Sequence, residues 1–276
     1  MTKSKPSWAP TLKPTNSDPP QTSAPPLRPS RFTQDGSGAQ MGLLEHVEEL
    51  RARLFRVIIV LVLVLLASTV IIEPLLQYLI VPCECELVLL RPTDSVVMYF
   101  RVALMVAGIV TMPYATYQLM MFIMPGLTNK ERRIVLTALP AITLLFLIGV
   151  AFAWFVLVPT AIPFLRDFMG SVFEPQWTAP EYIAFLTALL FWMGVSFEMP
   201  VVFFVLARIG LIGPGLLIQN WRLAVVIMTI VAALITPTVD PFNMLLVVAP
   251  LLVLYALSIV LTAVAYRRRT ADPETP

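Results

Sequence analysis

Histidine is almost missing from this chain: His46 is the only one in 276 residues. Cysteine occurs twice, at Cys83 and Cys85, and charged residues make up just 13%. These shortages exclude a His-based metal site and leave too few ligands for ordinary metalloenzyme chemistry, so no metal or other cofactor is expected. A net charge of +2 is too small to draw nucleic acid. A soluble domain is about one quarter charged. A chain that is 58% hydrophobic, with a mean hydropathy of +0.83, reads instead as an all-α integral membrane protein. No internal repeat is visible, which counts against an inverted-repeat transporter.

The first stretch, residues 1–41, is of a different kind. Its first forty residues hold eight prolines among many Ser and Thr. Such a segment cannot bury enough surface to fold and is expected to be a disordered tail. An organelle transit peptide is the second reading, disfavoured by the proline density and the scarcity of arginine.

Six apolar segments follow within residues 42–266, near 52–73, 96–123, 134–158, 182–207, 222–236 and 243–265. Sixteen of the nineteen basic residues fall on one side of this pattern, including Lys130, Arg132, Arg133, Arg208, Arg222 and the Arg267–Arg269 run in the tail 267–276. Only Arg91, Arg101 and Arg166 fall on the other. The positive-inside rule then places both termini in the cytoplasm. The fifth segment is short: Leu223 to Ile235 spans about 20 Å of helix against a hydrocarbon core of ~30 Å. A short hairpin with local bilayer thinning is expected there. Cysteines two residues apart would close a very small ring, so free thiols or an intermolecular bond are expected at Cys83 and Cys85.

Three stretches can carry chemistry. In "GLLEHVEELRARLF", residues 42–55, Leu43, Val47, Leu50 and Leu54 form one helical stripe, and Glu45, Glu49 and Arg53 another. One reading is an amphipathic interfacial helix with Glu49 paired to Arg53. The other is a cytoplasmic carboxylate surface that receives a basic ligand. In "MFIMPGLTNKERR", residues 121–133, Pro125 and Gly126 end a helix, and Thr128 with Glu131 forms a capping box. A carboxylate has about four acceptor sites, so Glu131 can cap a helix and still take a guanidinium. In "FWMGVSFEMPVVFF", residues 191–204, Glu198 sits inside an apolar run, and Pro200 is expected to kink the helix. A neutral Glu198 that only bonds a neighbouring helix is the alternative to a functional site.

The stretches "HVEELRARL", "PYATYQLMMFIMPGLTNKERR", "WMGVSFEMPVV" and "WRLAVVIMTIVAALITPTVDP", in that order among six spans, resemble the TatC family, the signal-receptor subunit of the twin-arginine protein translocase. The resemblance implies six transmembrane helices in a cupped bundle, helices five and six short, in the cell membrane. It implies no catalysis. It also implies self-association, TatA- and TatB-type single-span partners, lipid surroundings, and twin-arginine signal peptides as ligands, with transport driven by the proton-motive force. By the same resemblance Glu49 and Glu131 match the carboxylates that recognise the arginine pair, and Arg51, Pro125, Gly126 and Leu127 the framework around them. Pro113, Tyr117, Gln118 and Phe122 match the end of the second helix. Glu198 and Pro200 match an intramembrane polar docking point, and Asp240 the last outer turn. Met244 and Ala256 stand where many members carry polar partners of the cavity, which leaves Asn243 or Thr236 as substitute partners for Glu198. The rival reading is a proton-coupled small-molecule carrier with Glu198 as its proton site.

Overall fold

The computed structural model describes residues 43–123, 128–168, 176–236 and 241–270. The proline-rich tail therefore lies outside the described residues, as do Pro125, Gly126, Leu127 and Asp240. From Leu43 onward the chain forms one compact unit.

Helix α1, Leu43–Ser68, has neither proline nor glycine to interrupt it. It ends where two hydroxyls turn back on the backbone: Ser68 Oγ donates to Leu65 O at 2.8 Å and Thr69 Oγ1 to Leu66 O at 2.7 Å. The chain then bends by 80° into α2, Ile72–Ile80. The apolar stretch 52–73 is thus not one straight span, because these hydroxyls compete for the last carbonyls of α1. A 3₁₀ turn, Val81–Cys83, follows.

Here one expectation is corrected. Cys83 and Cys85 are joined to each other, with Cα atoms 5.0 Å apart. The residue between them, Glu84, adopts a left-handed conformation (φ 48°), which folds the chain back on itself. Strand β1, Leu87–Val88, pairs in parallel with β2, Trp177–Thr178, in the register Leu87 to Trp177. This two-residue ribbon has no counterpart in the sequence reading.

Helix α3, Asp94–Ile123, opens with Asp94 Oδ2 accepting from the N–H groups of Leu90 (3.2 Å) and Arg91 (3.0 Å). Helix α4, Asn129–Phe152, begins at the capping box read from the sequence. It continues through a π segment, Ala153–Leu157, into α5, Val158–Asp167. A π segment ahead of Pro159 relieves the clash of its ring with the carbonyl four residues back. The helix therefore runs on to Asp167 instead of stopping near 158. Helix α6, Ala179–Arg208, passes through Pro200 without interruption. A six-residue helix α7, Pro214–Gln219, and the fifteen-residue α8, Trp221–Ile235, lead to α9, Pro241–Thr270. The fifth apolar helix is short, as expected, but the last is not: α9 has thirty residues. Its apolar pattern fades at the basic end while the backbone stays helical.

Helices α3, α4–α5, α6 and α9 are each long and apolar enough to cross a membrane, and α1 with α2 adds a fifth candidate if the bent pair is one span. Helix α6 is the hub, packing against α3, α4 and α9. Glycines set how closely it approaches α4. A Cβ on Gly194 would come within 2.7 Å of Phe146, and one on Gly149 within 2.8 Å of the Met193 carbonyl. Small residues of this kind let membrane helices gain dispersion contacts that lipid cannot supply. A second, smaller apolar cluster around Met120, Val135 and Val205 ties the end of α3 to the start of α4 and the end of α6.

Candidate functional site

The first polar cluster forms where α1 meets the far end of α3. Glu49 and Arg53 are one helical turn apart, so their side chains share a face. The Glu49 Oε1 accepts from Arg53 Nε at 3.0 Å and also from Arg53 Nη2. Arg53 Nη1 donates to Gln118 Oε1 of α3 at 3.3 Å, and Gln118 Nε2 donates to Tyr114 Oη at 2.7 Å. The pair is largely covered, with side-chain exposure of 15% for Arg53 and 21% for Glu49. Glu49 Oε2 is buried and makes no hydrogen bond among the described residues. One carboxylate oxygen is therefore saturated by a guanidinium, and the other is held away from water with unused acceptor capacity. That is a costly arrangement to leave unmade.

Glu131 sits in the first turn of α4. Its Oε2 accepts from Thr128 N and from Thr128 Oγ1, both at 2.9 Å, and Glu131 N donates to Thr128 Oγ1 at 3.4 Å. The capping box is complete, and a negative charge there also suits the helix dipole. No hydrogen bond or ion pair joins Glu131 to Glu49 among the described residues. Arg51 is exposed and stands outside the Glu49 network. Pro113 lies inside α3 without breaking it, and Phe122 closes its last turn.

The second cluster lies within the bundle. Glu198 is 5% exposed. Thr116 Oγ1 of α3 donates to it, at 3.1 Å to Oε2 and 3.4 Å to Oε1. The partner is thus neither of the two suggested by the sequence. Thr236 bonds Ala232 O of α8 at 2.9 Å, and Asn243 is buried on α9. Met244 packs against the apolar core and Ala256 is exposed, so neither supplies a polar neighbour. Ser196 turns back to Trp192 O at 2.8 Å.

Sequence reasoning read the Glu49–Arg53 pair but missed Tyr114, Thr116 and the bond from Arg53 to Gln118. The i, i+4 spacing of Tyr114 and Gln118 was a usable signal for one face. Thr116, two residues from each, points about 200° away at 100° per residue. One helix thus presents Gln118 to α1 and Thr116 to α6. Among the described residues no three His, Cys, Asp or Glu side chains gather as metal ligands.

Comparison with known proteins is consistent along most of the chain. Residues 45–250 match the family model described as "TatC: Sec-independent protein translocase protein (TatC)". The Sec-independent protein translocase protein TatCd of Bacillus subtilis (strain 168) is 34% identical over 230 residues, covering 83% of this chain and 95% of that protein. TatC of Synechocystis sp. is 30% identical over 221 residues, covering 78% and 85%. A crystal structure described as that of the twin arginine translocase receptor TatC superposes with a TM-score of 0.74 at 33% identity, covering 80% of this chain and 99% of that one.

Proposed function

The chain belongs to the TatC family of Sec-independent protein translocase proteins, translocase components and not enzymes, and from that premise we propose that it is the signal receptor of a twin-arginine export system. In this reading it spans the cell membrane six times with both termini in the cytoplasm, the short α8 crossing where the bilayer thins. Signal peptides with two adjacent arginines dock at the cytoplasmic end, on Glu49 and Glu131. TatA- and TatB-type single-span proteins and further copies of the chain complete the export machinery, which the proton-motive force drives. The carrier reading has no support in the family.

The observation that carries the proposal is that Glu49 already grips a guanidinium, that of Arg53. Arginine presents a planar fork of donors that a carboxylate matches, whereas lysine keeps the charge and loses the fork. A signal arginine reaches this carboxylate by taking Arg53's place, or by reaching Oε2 as the cluster opens. Among the described residues Glu131 Oε1 takes no hydrogen bond and so offers an acceptor to the second arginine while Oε2 caps α4.

Magnitudes constrain the rest of the ligand. Two charge-assisted bonds contribute about 3–6 kcal/mol, against roughly 8 kcal/mol for micromolar binding. The arginines therefore need an apolar signal segment that lies against the bundle, with Glu198 and Thr116 as the polar point it passes. The test is Glu131→Ala: loss of arginine-dependent recognition in a protein that still folds is the expected result. Undiminished discrimination between arginine and lysine in that variant would reduce Glu131 to a helix cap.

A further inference from the structure

At the opposite end of α3 from the Glu49 cluster, a cavity of about 510 Å³ opens between α1, α3, α6 and α8. Its walls are apolar, with Leu61, Leu104, Ala188, Phe191 and Leu234 among them. The exceptions are Thr187 and Arg101, and the guanidinium of Arg101 makes a single hydrogen bond among the described residues, from Nη1 to Pro180 O at 3.4 Å. No carboxylate pairs with it among the described residues. We propose that this cavity binds one anionic phospholipid of the leaflet opposite the Glu49 cluster, its phosphate on Arg101 and an acyl chain along the apolar wall.

The depth fits. Helix α3 has thirty residues, or about 45 Å, which exceeds the ~30 Å hydrocarbon core by roughly 7 Å at each end if centred. Arg101 is seven residues from the start of the helix, or about 10 Å along it. Its backbone thus lies just inside the hydrocarbon edge, and its long side chain reaches headgroup level. Gly108, on the cavity wall, is another ~10 Å deeper. The site therefore offers a cation at the depth of lipid phosphates and an apolar channel running inward from it. A guanidinium that reaches headgroup level meets lipid phosphates there, and no carboxylate of the described residues competes for it.

The size argues against a partner helix. A helix ~10 Å across fills about 420 Å³ per turn, so the cavity takes little more than one turn of the five or six that cross a bilayer. Thr187 offers such a helix no free O–H donor, since its hydroxyl already donates to Ile183 O at 2.7 Å and Ala184 O at 3.2 Å.

The full-length protein in mixed-lipid nanodiscs, with phosphatidylglycerol and phosphatidylcholine of matched chains, supplies the test. Co-purified lipid is counted by native mass spectrometry after stepwise delipidation. The expected result is one retained phosphatidylglycerol, preferred about fivefold or more. Arg101→Gln loses the preference, Arg101→Lys keeps part of it, and Leu61→Trp, which fills the cavity and leaves the charge, loses the bound lipid. Equal retention of the two lipids overturns the proposal, as does a preference that survives both Arg101→Gln and Leu61→Trp. Shielding of the cavity by a co-expressed single-span partner, with no lipid retained, would assign the site to that partner.

Discussion

Glu49 faces a guanidinium; Glu198 faces a hydroxyl. Both carboxylates are covered by protein and both are read by α3, through Gln118 in the first case and Thr116 in the second. The Glu49 cluster is charge-balanced and built from bonds a ligand can exchange. It sits at the end of the bundle, where α1 begins with charged residues. The Glu198 pair is a single neutral donor on a carboxylate in the middle of α6, with apolar packing around it. The comparison teaches that one helix can serve two polar sites of different kind because residues two apart project to opposite faces. The first site is suited to recognising arginine. The second is suited to a polar contact in a place where water is scarce.

That contrast can be broken from either side. The largest effect on folding is expected from Glu49→Ala, which leaves Arg53 covered and held only by Gln118. A loss of about 2–3 kcal/mol is expected, read as a lower melting temperature in detergent. Replacing Arg53 as well, by Met, recovers most of it, because the unpaired charge is then gone. A next, intermediate loss is expected where α6 meets α4. Gly194→Val forces a side chain toward Phe146 and Val150, at about 1–3 kcal/mol, with no change in arginine preference in the folded fraction. The smallest effect belongs to Thr116→Val. Interhelical hydrogen bonds in membranes average about 0.6 kcal/mol, so its melting temperature falls slightly and signal binding persists. A drop as large as that of Glu49→Ala would place Glu198 among the charged, strongly compensated groups.

Local features were legible in the sequence. The Glu49–Arg53 pair and the Thr128–Glu131 capping box depend on residues three or four apart, and helical geometry alone brings them together. The long helices α3 and α6 followed from unbroken apolar runs. What escaped depends on contacts between distant segments. Thr116 meets Glu198 across 82 residues, and only the packing of α3 against α6 decides that the two are neighbours. Gln118 takes Arg53 across 65 residues. The Cys83–Cys85 pairing was misjudged because it rests on one left-handed residue, Glu84, which spacing does not disclose. The bend after Ser68 and the length of α9 escaped because hydropathy marks where a helix leaves lipid, not where its backbone hydrogen bonds stop.

The most direct measurement is the affinity of the purified protein for a twin-arginine signal peptide beside an otherwise identical twin-lysine one, with the wild type and with Glu49→Ala,Arg53→Met, which is expected to keep the fold. A clear preference for arginine in the wild type, absent in the double variant, is the expected outcome. Equal affinity for both peptides in the wild type would contradict it and leave Glu49 and Arg53 as a structural clasp between α1 and α3.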